Sequence, residues 1–200
     1  MHRRFFLSGS AVSLASLSGC LRRLGSVGSS LRTVSELGIR RQPTELNLEL
    51  SVSIRDRDMT LTHTAKIAFE LANTGDTERI IPFYGNEWDG LHSIDESYSP
   101  EGGLMLVPVE QDLQSSGPGC WRIHESNTYP GGPGSGPSYN LGPGASFMHE
   151  FGIWIEPGRT ECLPSGDFLF GQQLTDDGNG DGDGGGWKFS LKISGGDANE

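Results

Sequence analysis

Cysteine, lysine and recognisable catalytic motifs are scarce in this chain of 200 residues. Its three cysteines form no Cys-x-x-Cys pair, which argues against zinc-ribbon and thioredoxin-like redox sites. The sequence contains no Gly-x-Ser-x-Gly elbow, no Walker phosphate loop and no His-Glu-x-x-His. These absences predict a non-enzymatic protein that needs no cofactor, with a weak calcium site as the single exception considered below.

Positive charge is also scarce once the first segment is set aside. Residues 42–200 hold 8 basic against 25 acidic side chains, a net charge of −17. Such a body repels phosphate, so we expect no nucleic-acid partner. Two explanations of the acidity remain open: adaptation to high salt, which screens the self-repulsion, or an acidic ligand-binding face. The even spread of the acids along the chain favours salt adaptation.

The first 20 residues carry two motifs in the order found in exported lipoproteins. Arg3 and Arg4 precede an uncharged run that ends at Leu17, and this arrangement resembles a twin-arginine export signal. Residues 17–20 (LSGC) resemble a lipobox, in which cleavage precedes Cys20 and a lipid is attached to its thiol. The run is shorter than the about 20 apolar residues of a spanning helix. An uncleaved anchor and a chance apolar start are the alternatives.

These resemblances, together with the acidity, imply a haloarchaeal type of lipoprotein that folds before export and is then held by lipid at the outer face of the cell membrane. We divide the chain into a signal peptide (1–19), a lipid-anchored flexible tether (20–44), one domain (45–194) and a disordered tail (195–200). The arginines of the tether favour anionic head groups, although a plain solvated linker explains them equally well.

Alternation with period two dominates the domain. Apolar side chains occupy even positions from Leu46 to Ile54, and odd positions from Met59 to Leu71. Alternation also runs from Phe147 to Ile155 and from Trp187 to Ile193. Further candidates lie at 79–84, 104–109, 120–124 and 167–172. Seven to eight short strands joined by glycine and proline turns predict an antiparallel β-sandwich.

Three turn phrases make the fold resemblance more specific: 71–76 (LANTGD), 141–146 (LGPGAS) and 163–168 (LPSGDF). They resemble turns in the immunoglobulin-like modules of bacterial and archaeal surface proteins. The resemblance implies an all-β, immunoglobulin-like sandwich. The intracellular proteinase inhibitor of the BsuPI type is similar in the same phrases, but its inhibitory residues have no position here.

Cys120 and Cys162 are the cysteines left outside the lipobox. An exported protein with two cysteines most simply pairs them, so we predict a disulfide; two buried thiols or a soft-metal pair are the alternatives.

Among the histidines, His63 and His149 fall on apolar strand faces by register, as core residues usually do. Tyr84, Trp88 and Trp121 offer stacking surfaces to a sugar or partner, or serve as core anchors.

The run 176–183 (DDGNGDGD) carries a calcium hypothesis. Oxygen ligands recur at Asp177, Asn179, Asp181 and Asp183, with glycine at the sixth loop position, as in the first half of an EF-hand loop. Lys188 occupies the twelfth position, where a bidentate glutamate is needed. The alternatives are weak calcium binding and a plain acidic turn.

We expect a cell-surface binding module for an unknown protein or carbohydrate ligand. An exported hydrolase or an inhibitor-like protein is the alternative.

Overall fold

The computed structural model describes residues 30–82, 91–95, 100–111, 113–124, 138–174 and 185–195. Over these ranges the chain is almost entirely β-structure, interrupted by one 3₁₀ turn at Thr44–Leu46. None of the described residues belongs to a helix of the length and apolarity needed to cross a bilayer. The strands are β1 (Arg32–Arg41), β2 (Leu48–Asp56), β3 (Asp58–Met59), β4 (Lys66–Asn73), β5 (Arg79–Pro82), β6 (Leu91–Ile94), β7 (Pro100–Pro108), β8 (Ser115–Gly117), β9 (Cys120–Ile123), β10 (Ser138–Leu141), β11 (Ser146–Ile155), β12 (Gly166–Gln173) and β13 (Gly186–Gly195).

One long sheet makes up most of the domain, in the order β2-β4-β11-β7-β6-β12-β13-β1-β3. Every pairing in this order is antiparallel; β9 adds to β11 in parallel, and β5 and β10 form a separate ladder. The sheet folds over at β6, so that β2, β4, β11 and β7 face β12, β13 and β1. The predicted all-β, immunoglobulin-like sandwich is confirmed. Thirteen strands replace the expected seven or eight, because several ladders are only two to four residues long.

Aromatic side chains join the two layers. Phe69 on β4 lies with its ring centroid 5.0 Å from that of Trp187 and 6.4 Å from that of Phe189, both on β13. All three side chains are fully buried. The alternation in β4 and β13 points these rings inward, as the sequence pattern predicts, and the layers share one continuous core.

Strand β1 corrects the interpretation of residues 20–44 as a flexible tether. Arg32–Arg41 pairs along its length with β13, and Val34 is fully buried. The sequence pattern misses this strand because two register shifts, between Val34 and Glu36 and between Ile39 and Arg41, break the period of two. The domain therefore begins by Leu31, and a tether remains the prediction only for residues 20–29, which lie outside the described residues.

A side chain pairs with the outer edge of β2, whose strand partner in the sheet is β4. The amide of Gln42 donates to the carbonyl of Leu50 at 2.8 Å and accepts from its N–H at 2.7 Å. This pair of bonds replaces a missing strand partner at the edge of β2. Further along, the same stretch of chain changes layers, since β2 pairs with β4 whereas β3 pairs with β1.

Residues 59–71 do not form one continuous strand, contrary to prediction. Thr60 to Ala65 make a turn instead, and the Thr60 hydroxyl accepts from the backbone N–H groups of Thr62 and His63, each at 3.2 Å. Leu61 is consequently 52% exposed and His63 leaves the predicted apolar face. A threonine turn competes locally with the strand that the alternation favours.

The sandwich has two ends, which we call the N-terminal pole and the opposite pole. The N-terminal pole carries Leu31, the turn 57–65, Gly119 and the loop 156–165, and strand β12 begins there. The opposite pole carries the 3₁₀ turn, the turn 73–78 and the turn 142–145. Antiparallel pairing of Arg32 with Gly195 and of Leu48 with Asn73 defines these ends.

Candidate functional site

A disulfide organises the N-terminal pole. Cys120 and Cys162 are joined with a Cα–Cα distance of 4.3 Å, as the sequence predicts. The adjacent Trp121 donates its backbone N–H to Cys162 O and its indole N–H to Thr60 O, both at 2.8 Å. These bonds hold strand β9 against two loops that are far apart in sequence, and they give the loop after β11 a defined position.

A cleft of about 300 Å³ opens beside this disulfide. That volume is at the lower end of small-molecule sites. Its walls combine apolar side chains with one cation and one anion, and it is lined by Gly103, Ile155, Arg159, Glu161, Leu163, Pro164, Ser165 and Phe168. Five of these residues, from Arg159 to Ser165, belong to the loop after β11. The cleft is therefore presented mainly by a loop on a rigid scaffold, the usual location of binding residues.

Glu156 holds one side of the cleft together. Its Oε2 accepts from the backbone N–H of Gly103 at 2.9 Å, and its Oε1 is in contact with Nδ1 of His92. The carboxylate side chain is only 18% exposed. Because both oxygens are engaged inside the protein, Glu156 positions the cleft wall and is not itself offered to a ligand.

Arg159 supplies the free positive charge. Its backbone carbonyl accepts from Arg122, which fixes the start of the loop. Its guanidinium lies over Gly103, and a Cβ atom placed on Gly103 would lie 3.7 Å from Nη2 of Arg159. Gly103 has a φ of +105°, a conformation that residues with an L side chain rarely adopt, so no side chain fills this wall of the cleft. Among the described residues, no hydrogen bond or salt bridge engages the guanidinium.

Glu161 supplies the negative charge. A hydrogen bond from its own backbone N–H, more than the opposing effect of desolvation, lowers the pKa of this carboxyl, and Thr160 and the positive charge of Arg159 act in the same direction. Glu161 therefore remains a carboxylate to a lower pH than usual. A bound group with both polar and apolar surface would meet opposite charges at the rim and apolar contacts from Leu163 and Phe168.

A second cluster at the same pole resembles a hydrolase triad in composition. His63 Nε2 lies 3.3 Å from Asp56 Oδ2, and its Nδ1 lies 3.0 Å from the Thr60 hydroxyl. That hydroxyl also accepts two backbone N–H groups, and Thr60 is only 5% exposed. The hydroxyl of Thr60 is committed to its turn, so this cluster presents no accessible nucleophile.

The remaining predicted positions are distributed as follows. Trp121 is 9% exposed and its ring packs 5.4 Å from that of Trp154, which makes it a core anchor. His149 lies half-buried on β11, among Tyr139, Phe147 and Phe151. Other sites lie outside the described residues: Arg3, Arg4, Cys20, Tyr84, Trp88, Asp177, Asn179, Asp181 and Asp183. Within the described ranges, no group of three or more His, Cys, Asp and Glu side chains is arranged to hold a metal.

Sequence reasoning missed the cleft. His92 and Glu156 are 64 residues apart, and no local motif marks either of them. The phrase 163–168 is correctly predicted as a turn before a late strand, but its wall-forming role depends on how the loop packs. The sequence gives only an indirect signal for the cleft. The predicted disulfide places Cys162 next to Cys120, and Glu161 and Leu163, the neighbours of Cys162, line the cleft.

A protein-family model matches residues 1–107, slightly more than half of the chain, and its description reads "Domain of unknown function (DUF8130)". The match ends within β7. No curated protein and no solved structure matches the chain.

Proposed function

The chain belongs to the DUF8130 family, and we propose that it is an exported lipoprotein whose sandwich domain binds a ligand at the outer face of the cell membrane. Export rests on Arg3 and Arg4, and anchoring rests on the lipobox that ends at Cys20. Binding rests on the cleft beside the Cys120–Cys162 disulfide. The protein acts as a non-enzymatic interaction module in this proposal.

The observation that carries the proposal is the composition of the cleft. Arg159 and Glu161 place opposite charges on one rim, while Leu163, Pro164 and Phe168 supply an apolar wall. A protein loop or a carbohydrate has matching chemistry, because each combines hydrogen-bonding groups with apolar surface. Neither charge is buried, so a ligand is oriented by them at small desolvation cost.

The cleft is tested by cross-linking from inside it. Ser165 is exposed and lines the cleft, so a photo-reactive amino acid at this position should form an adduct on intact cells in molar salt. Asn140, exposed on β10 at the opposite pole, is the matched control position. Adducts that form at Ser165, and that disappear when Arg159→Ala is added, support the proposal.

Equal labelling from Asn140 and Ser165 would show that contact is non-specific and would remove the cleft from consideration. Turnover in a broad hydrolase screen, abolished by His63→Gln or Asp56→Asn, would favour the exported-hydrolase alternative.

Anchoring is tested separately by fractionation of cells that express wild type or Cys20→Ser. Equal recovery of both proteins in the membrane fraction would contradict lipid attachment.

A further inference from the structure

The N-terminal pole is the part of the domain closest in sequence to the proposed anchor. Leu31 donates its backbone N–H to Met59 O at 2.7 Å, and its side chain covers Gly119 together with Leu61. A Cβ built on Gly119 would lie 2.9 Å from Leu61 Cδ2 and 3.0 Å from Leu31 Cδ1. Only ten residues lie between Cys20 and Leu31, and these eleven residue steps span at most about 40 Å when fully extended.

Leu61 gives this pole an apolar tip. It is 52% exposed at the crest of the threonine turn, and its backbone carbonyl accepts from Gly119 at 3.2 Å. The turn is held by the bonds to Thr60, so Leu61 projects from a defined structure. An exposed leucine on a rigid turn is suited to insertion among lipid head groups.

Four arginines lie at this pole of a body whose net charge is strongly negative: Arg32, Arg57, Arg122 and Arg159. Arg57 is exposed between β2 and β3, and Arg159 is exposed in the cleft loop. Within the described part of the chain, no salt bridge joins either one to a carboxylate. Both guanidinium groups are thus available to phosphate oxygens.

Several carboxylates at the same pole are engaged within the protein. Asp58 accepts from the hydroxyls of Ser30 at 2.8 Å and Thr33 at 3.0 Å. Asp56 pairs with His63, and Glu156 is held by His92 and Gly103. Glu161, beside Arg159, and Asp167, at the start of β12, are exposed acids at this pole and oppose a negative surface.

We propose that the N-terminal pole docks on the anionic phospholipid surface of the membrane, with Leu61 inserted and with Arg57 and Arg159 on the lipid phosphates. The occupant is the bilayer surface itself, because the chain reaches this pole from the lipobox cysteine and the exposed charges there are complementary to phosphate. The inference builds on the proposed membrane location but does not need the covalent lipid. It also places the cleft at the membrane-facing end of the domain, within reach of ligands close to the bilayer.

The test uses full-length Cys20→Ser protein, which cannot be lipidated, and vesicle sedimentation in dilute and in molar salt. Vesicles of phosphatidylglycerol and phosphatidylcholine in equal parts are compared with phosphatidylcholine alone. We expect binding to the anionic vesicles that weakens with salt. Each arginine at the surface contributes about 1 kcal/mol, so Arg57→Gln and Arg159→Gln together should weaken binding about 25-fold. Leu61→Ser should weaken it about fivefold, because roughly half of a leucine side chain is left without apolar contact.

Matched variants at the opposite pole make the result specific. Arg40→Gln with Arg41→Gln removes the same charge from exposed positions at the far end of β1, and Ile80→Ser removes a side chain that is 59% exposed on β5. These variants should leave vesicle binding unchanged, whereas Glu161→Gln should strengthen it. The proposal is overturned if wild type shows no preference for anionic vesicles, or if variants at the two poles weaken binding equally. Because lipidation is absent throughout, failure here is distinct from failure of the Cys20 anchor.

Discussion

The side-chain amide of Asn73 donates a hydrogen bond to the backbone carbonyl of Leu141 at 2.9 Å. The same nitrogen reaches Thr77 O at 2.7 Å and Gly142 O at 3.2 Å, and Asn73 Oδ1 accepts from Gly75 N–H at 2.9 Å. Asn73 is only 1% exposed. One buried amide therefore joins the turn after β4 to the turn before β11, which hold two of the three turn phrases described in the sequence.

Asn73→Ala should lower the free energy of unfolding by about 2–4 kcal/mol, because three backbone carbonyls and one N–H lose their buried partner. Denaturant titration measures this as a lower midpoint with an unchanged slope. Asn140→Ala, at an exposed position on neighbouring β10, is the matched control and should change little. Equal losses from the two variants would mean that the Asn73 network contributes no more than a surface amide.

Loss of the disulfide should also destabilise the domain. The bridge closes a loop with a sequence separation of 42 residues, for which the chain-entropy model gives about 4 kcal/mol. We expect Cys120→Ser with Cys162→Ser, made in a Cys20→Ser background, to show this loss in denaturant titration. A single linked peptide pair should appear in non-reducing mass spectrometry of the parent protein. Two freely alkylated thiols in the exported protein would contradict the pairing.

His149 should make the fold sensitive to mild acid. Burial lowers the pKa of this imidazole below its ordinary value of 6.5, although the charge of Glu110 acts in the opposite direction. The unfolded chain then binds a proton more readily than the folded chain, so stability is full above the unfolded pKa and is lost as pH falls through the folded pKa. His149→Gln should flatten the dependence of the unfolding midpoint on pH as the pH falls below the ordinary imidazole pKa of 6.5.

His124→Gln is the control for this measurement, since it removes an imidazole from an exposed position. The acid-dependent loss should persist in that variant. If the loss also persists in His149→Gln, another group is responsible. The comparison is made in molar salt, where repulsion among surface carboxylates is screened and contributes least to the pH dependence.

Calcium should bind weakly or not at all at the run 176–183. The described ends of this segment are joined by a bond from Leu174 N–H to Gly185 O at 2.8 Å, but the ligand set lacks a carboxylate at its twelfth position. Calorimetry should give either no heat or an affinity at the millimolar end of the known range, lost in Asp177→Ala and Asp181→Ala. Asp197→Ala, outside the run, should retain any heat. Micromolar binding would contradict this expectation.

The parts of the fold that the sequence predicts are those with uninterrupted alternation. Phe147, Phe151, Ile153 and Ile155 all point inward from β11, as period two requires. Strand β1 was not predicted because its bulges shift the period of two. The turn at Thr60 was not predicted because the hydrophobic alternation continues through it, whereas hydrogen bonds to the Thr60 hydroxyl favour a turn. Long-range pairing with a shifted register decides the first case and local hydrogen bonding decides the second, and hydrophobic patterning encodes neither.

The site was less predictable than the fold. The Cys120–Cys162 pair followed from cysteine number and the expected compartment, without any geometric information. Arg159 and Glu156 instead acquire their roles through contacts with Gly103, more than fifty residues away, and such pairings depend on strand order.

The pairing of β1 with β13 also has a consequence for biosynthesis. The two strands are far apart in sequence, because Arg32 lies opposite Gly195. The edge of β1 that faces β13 stays unpaired until residues 186–195 have been synthesised, and closing so long a loop slows folding. Closure of this pair is therefore a late step in biosynthesis, after every strand that lies between them in sequence has been made.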